Sequence, residues 1–199
     1  GLEVAALLAQ GTDLKPVAQL MAVLTAGPVE PGWGLSGLVA DAGLIAGYVA
    51  FQSGDLVRAE AALSAWSEAN PSDSRARGLL AVVLTRLAGR DHDARRFVRA
   101  SSLMARAVAL TDDPAVHHNA AVVRYSRGDH SGAAKQFRRL SATGAVLTAT
   151  LNLGLYLDDI VGVGSEAARE YRRYLSAGGR VGAEIARRRL SRKERILGP

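Results

Sequence analysis

The stretch SGDLVRAEAALSAWSEANPSD, Ser53 to Asp73, and the stretch RGDHSGAAKQFRRLSATG, Arg127 to Gly144, spell one local pattern twice. Both open with Gly-Asp and then place alanine and a bulky apolar residue at matching distances. One common offset carries Gly54 onto Gly128, Asp55 onto Asp129, Ala59 onto Ala133, and Leu63 onto Phe137. Upstream, Gly47 matches Ala121 and Phe51 matches Tyr125 at the same offset. Self-similarity at a fixed spacing is the mark of a repeat architecture.

Leu56, Ala59, Leu63 and Trp66 fall at i, i+3, i+7 and i+10, which is one face of a helix. Asp55 or Ser53 can cap its start. Asn70-Pro71 ends it, because the residue before proline avoids helical geometry. The offset is long enough for a further unit between the two. Leu80-Ala81 and Leu84 read as its first helix, and Ala100, Met104 and Ala107 as its second. About six extra residues are expected in its turn, within AGRDHDARRF (Ala88 to Phe97). A fourth unit follows: LNLGLYL (Leu151 to Leu157), a glycine-rich turn, then Ala167, Tyr171 and Tyr174.

From Val39 to Gly178 this pattern resembles the tetratricopeptide repeat, a helix-turn-helix unit of about 34 residues. Small residues stand where the paired helices of that family cross: Gly47, Ala81, Ala121 and Gly154. The second-helix pattern of alanine followed by a large residue is met by Ala59/Leu63, Ala100/Met104, Ala133/Phe137 and Ala167/Tyr171. Pro71 matches the closing proline, and Pro114 falls a few residues late in its unit. The family's first-helix tryptophan is replaced by Gly43, Arg77, His117 and Thr150, and its tyrosine by Ala50, Leu84, Arg124 and Leu157. The resemblance implies an all-α fold: a right-handed superhelix of antiparallel helix pairs, an α-solenoid. Each hairpin leaves an apolar face that only a stacked neighbour can cover.

The organisation expected is three-part. Residues 1–33 form an N-terminal helical pair, turning at Gly11, and a Pro-Gly linker from Ala26 to Gly34. Residues 34–178 form about four hairpins. Residues 179–199 form a basic capping helix, Arg180 to Ile196, with Ala183, Ala186, Leu190 and Leu197 on one side and Arg187, Arg188, Arg192 and Arg195 mostly on the other.

Composition agrees with helices packed on small residues. Of the 199 residues 48% are hydrophobic and only 5% aromatic. There is no cysteine, which excludes disulfides, thiol nucleophiles and cysteine-held zinc. Net charge is +6, and all of it lies in residues 165–199, where ten Lys/Arg meet four Asp/Glu. Gly34 to Phe51 is apolar, but it carries Asp41 and four glycines, so it reads as a buried helix and not a membrane span.

No catalytic constellation stands out, and the chain reads as a non-enzyme without cofactor or metal. Arg127-Gly128-Asp129 spells an adhesion tripeptide but sits in a repeat turn. Gly162-Val-Gly-Ser165 lacks the rest of a phosphate loop. His117-His118 and Asp91-His92-Asp93 lack the i, i+4 histidines of a helical zinc site. The neighbouring Asp158 and Asp159 are expected to cap a helix end or face solvent.

The resemblance implies that the first helices line a concave surface. Carried over by position, that surface holds Leu44, Tyr48, Phe51, Val82, Arg86, His118, Val122, Tyr125 and Leu155. It is apolar with aromatic rims and lacks the lysines and asparagines with which some family members clamp a carboxylate. It suits a partner helix or an extended apolar peptide. The expected function is a non-catalytic protein–protein interaction scaffold of a bacterial multiprotein assembly. Family habits and a start at Gly1 point to the periplasm or cell envelope. The alternative is an adaptor that holds nucleic acid or an anionic membrane surface through Arg187, Arg188, Arg192 and Arg195.

Overall fold

The computed structural model describes residues 42–197. The expected N-terminal pair and linker lie outside the described residues, as do residues 34–41 of the apolar stretch. Nine α-helices are present among the described residues: α1 (Ala42–Gln52), α2 (Leu56–Ala69), α3 (Ser74–Asp93), α4 (Phe97–Leu110), α5 (Pro114–Ser126), α6 (His130–Thr143), α7 (Leu147–Tyr156), α8 (Gly164–Ser176) and α9 (Ala183–Leu197). A π-helical turn, Leu157–Val161, ends α7. The chain divides into two compact units, with the boundary between Arg90 and Asp91 inside α3.

The repeated Gly-Asp motif makes the same turn twice, bond for bond. After α1, Ser53 N–H donates to the Val49 carbonyl (3.0 Å), Gly54 to Phe51 (3.1 Å) and Asp55 to Ala50 (2.9 Å). After α5, Arg127 donates to Val123 (3.1 Å), Gly128 to Tyr125 (3.0 Å) and Asp129 to Arg124 (3.1 Å). Both glycines take positive φ, 81° and 91°, a conformation that costs other residues about 1–2 kcal/mol. Each aspartate then caps the next helix: Asp55 Oδ1 accepts from Arg58 N–H and Asp129 Oδ1 from Gly132 N–H, both at 3.0 Å.

In the first unit, α1 packs on α2. Gly47 lies against Leu63, where a Cβ would collide with the leucine side chain. One turn earlier, a Cβ on Gly43 would stand 2.6 Å from Trp66 Cε3. The second-helix Trp66 thus fills the space that a first-helix tryptophan would need, and its indole N–H donates to Asp73 Oδ2 (3.1 Å). Arg75 and the indole together hold the Asp73 carboxyl well below the usual carboxylate range.

In the second unit, α4 to α9 pack each on the next. The small and large residues of the repeat pattern form the core. Ala100, Ala133 and Ala167 are fully buried, and Met104, Phe137 and Tyr171 are nearly so. A Cβ on Gly154 would stand 2.8 Å from Tyr171 Cε1, so glycine lets the ring lie directly on the α7 backbone.

The extra residues of the middle repeat are not in its turn. They lengthen α3 to 20 residues, against 13 in α5. The helix runs through Gly89, whose cost of about 1 kcal/mol relative to alanine is too small to end it when no proline follows. The turn that follows is the short one again, with Arg95 N–H donating to His92 (2.9 Å) and Arg96 N–H to Asp91 (2.7 Å). Here Arg95, not glycine, holds positive φ, 58°. The buried Asp91 carboxylate braces the turn through Arg96 (2.6 Å) and Arg99 (3.1 Å).

The last helix begins at Ala183, later than the expected Arg180, because Gly182 takes positive φ (76°). Ala186 is fully buried and Leu190 packs against the core. Tyr174 donates its hydroxyl proton to the Val181 carbonyl and fixes the connection.

Candidate functional site

In the first unit, the residues expected on the inner face stand on α1 and α3. Leu44, Tyr48 and Phe51 are half-buried, while Val82 and Arg86 are exposed. The Arg86 guanidinium carbon lies 4.6 Å from the centroid of the Phe51 ring, within range of a cation–π attraction of about 0.5–1 kcal/mol. Tyr48 accepts a hydrogen bond from Gln52 Nε2 (2.6 Å).

In the second unit, α5 and α7 bring their predicted residues together. His118 Nε2 lies 3.1 Å from Asn152 Nδ2 and 3.3 Å from Thr148 Oγ1, so the two helices are joined across this face. Burial depresses the His118 pKa, which keeps the ring neutral at pH 7. The ring also meets Phe137 at a centroid distance of 5.8 Å. Val122, Tyr125 and Leu155 are half-buried and lie on the core formed by Phe137, Leu153 and Tyr171. Tyr125 packs edge-on against His130 at 4.6 Å, and burial raises its pKa. The result is a part-exposed apolar strip with a neutral polar pair at one end.

Two contributors to this strip were not anticipated. Asn152, bonded to His118, adds an asparagine beside the expected residues. Tyr156, half-buried beside the same core, adds a second aromatic. In the alignment that sets Ala121 against Gly154 they match Asn119 and Val123 of α5, not the residues of the expected surface.

Asp158 and Asp159 do not simply face solvent. Arg189 of α9 reaches both, at 3.2 Å and 2.6 Å, and Lys193 pairs with Asp158. Tyr171 donates its hydroxyl to Asp158 (3.3 Å). Burial works to raise the Asp158 pKa, but Lys193, Arg189 and Tyr171 outweigh it, so the net shift is downward. This clasp secures α9. Arg187, Arg188, Arg192 and Arg195 are all exposed and make no ion pair with any described residue.

Other motifs are used structurally. In the adhesion-like tripeptide, Arg127 donates to Ser101 Oγ (2.8 Å) and Asp129 caps α6. His92 contacts Ser126 Oγ (2.8 Å). Among the described residues there is no metal-holding cluster of His, Asp and Glu, and no helix is long and apolar enough to cross a membrane.

No family model matches the chain, and no curated protein matches it in sequence. Solved structures do match in shape. The crystal structure of MamA aligns with a TM-score of 0.59 at 18% identity, over 86% of this chain and 91% of that one. YrrB, described as a TPR protein with an unusual peptide-binding site, aligns with a TM-score of 0.57 at 14% identity, over 79% and 77%. The fold is that of tetratricopeptide repeat proteins.

Proposed function

We propose that the protein is a non-catalytic scaffold of a bacterial multiprotein assembly, with the cell envelope as its setting, and that the face of α5 and α7 takes a partner peptide. The observation that supports this is the strip of Val122, Tyr125 and Leu155, half-buried and bordered by the neutral His118–Asn152 pair. An apolar floor recognises alternate side chains, and uncharged polar groups at its edge suit the amides of an extended backbone. YrrB, of similar fold, is described as having a peptide-binding site. In the other unit, Leu44, Tyr48, Phe51, Val82 and Arg86 are offered as a second surface, which the Arg86–Phe51 contact supports.

The test is selection from a phage-displayed random peptide library on the immobilised full chain, followed by calorimetry with the selected peptide. Tyr125→Ala and Leu155→Ala should each weaken binding by at least about tenfold, as aromatic and aliphatic anchors do, with helicity by circular dichroism unchanged. The reading fails if no sequence is enriched, or if binding is indifferent to these substitutions and to Phe51→Ala.

A further inference from the structure

The ten basic residues of the C-terminal region have divided roles. Arg189 and Lys193 are consumed by Asp158 and Asp159. Arg172 takes Glu194 at 3.0 Å, so Glu194 does not offset the charge of the outer face as its position in the sequence suggests. What remains on the outward side of α9 is Arg187, Arg188, Arg192 and Arg195, with the exposed Arg180 just before the helix. At about 100° per residue the four helical arginines fall within one arc of about 140°. Glu184 is the single acid on that arc among the described residues. Arg195 bonds only the Ser191 carbonyl of its own helix (3.4 Å).

Two bare apolar side chains border the arginines. Val181 is 74% exposed and Ile185 is 40% exposed. Ile185, Arg188 and Arg192 stand at i, i+3 and i+7, so the isoleucine continues the edge of the basic arc. We propose that this face of α9 docks on an anionic lipid bilayer, with the arginines on headgroup phosphates and Val181 and Ile185 at the acyl boundary. The surface is one exposed side of a single helix, a shape that can lie along a membrane plane. Guanidinium forks pair bidentately with phosphate oxygens, and amphipathic surfaces combine such charge with shallow apolar insertion. A nucleic-acid surface is less well served. The face offers no aromatic ring for stacking and only Ser191 as a neutral hydrogen-bonding side chain. This inference does not depend on the peptide strip of α5 and α7.

The experiment is flotation of the full chain with vesicles of equal parts phosphatidylcholine and phosphatidylglycerol, beside vesicles of phosphatidylcholine alone. Binding is expected only to the anionic vesicles and should fall steeply as salt rises. Each arginine near such a surface contributes about fivefold in partitioning, so replacing Arg187, Arg188 and Arg192 with glutamine should lower it by about 100-fold. The melting temperature should not change. Val181→Ser with Ile185→Ser should weaken binding and leave the remainder salt-sensitive. Absence of anionic-vesicle binding, indifference to the glutamine substitutions, or tighter capture of a short DNA duplex than of vesicles would each overturn the proposal.

Discussion

Helices α7 and α8 are joined differently from α8 and α9, although each pair stacks in the same series. At the first junction the contact is steric: Gly154 has no side chain, and Tyr171 lies on the bared backbone. At the second, α9 offers Ala183, Ala186 and the half-buried Leu190, with no aromatic side chain. Charge supplements the small apolar contact there, through Asp158 held by Arg189, Lys193 and Tyr171. A repeat can rely on shape because its partner helix carries a large residue at a set position. Helix α9, outside the repeat pattern, has no such residue and is fastened at its polar edge.

The steric junction should be the least tolerant. Gly154→Leu places carbon where the Tyr171 ring already stands, and the expected loss is about 3 kcal/mol in urea unfolding. An unchanged midpoint would show that the helices separate easily and that the small-residue alignment is mistaken.

The clasp should come next. Asp158→Ala leaves Arg189 and Lys193 without their shared acceptor, and the expected cost is about 2 kcal/mol. Hydrogen exchange should accelerate in α9 before it does in α7 or α8. The folded pKa of Asp158 is depressed, so its contribution is complete above the ordinary aspartate value of about 4 and fades as pH falls through the lower folded value. The difference between wild type and Asp158→Ala should therefore be full at pH 7 and vanish in strong acid. A difference independent of pH would assign the effect to packing.

A smaller effect, of opposite sign, is expected in the middle turn. Arg95 holds a conformation that Gly54 and Gly128 hold without strain. Arg95→Gly should raise stability by about 1 kcal/mol in thermal unfolding. A loss would mean that the arginine side chain contributes more than its backbone costs.

The smallest effect belongs to the outer side of the last helix. Arg187→Gln, Arg188→Gln and Arg192→Gln together should change stability by less than about 0.5 kcal/mol, since these exposed side chains form no ion pair with any described residue. A large loss would place these arginines with the clasp.

Much of this was legible before any coordinate. The Gly-Asp turns, the aspartate caps and the alanine-to-large spacing are local rules. The turn after α1 and the turn after α5 accordingly share the same backbone bonds and the same cap. Repeat position names His118, Val122, Tyr125 and Leu155 as a surface, but it does not name Asn152 or Tyr156, which align with Asn119 and Val123; the bond from Asn152 to His118 comes from how α5 and α7 pack. The extra residues of the middle repeat lengthen a helix and not a turn, because the lone Gly89 reads as a turn signal in the sequence but is accommodated within the helix.

The sequence by itself determined the helices, their turns and which small residue faces which large one, because those depend on near neighbours in the chain or on a fixed repeat spacing. Only the tertiary structure decided which charges are consumed and which remain free. Arg188 and Arg189 are adjacent, and nothing in the sequence distinguishes them as partners for Asp158 and Asp159, yet the arginine that pairs is Arg189. The choice is made by how α9 is rotated on α8, and that rotation is set by where its alanines find room to pack.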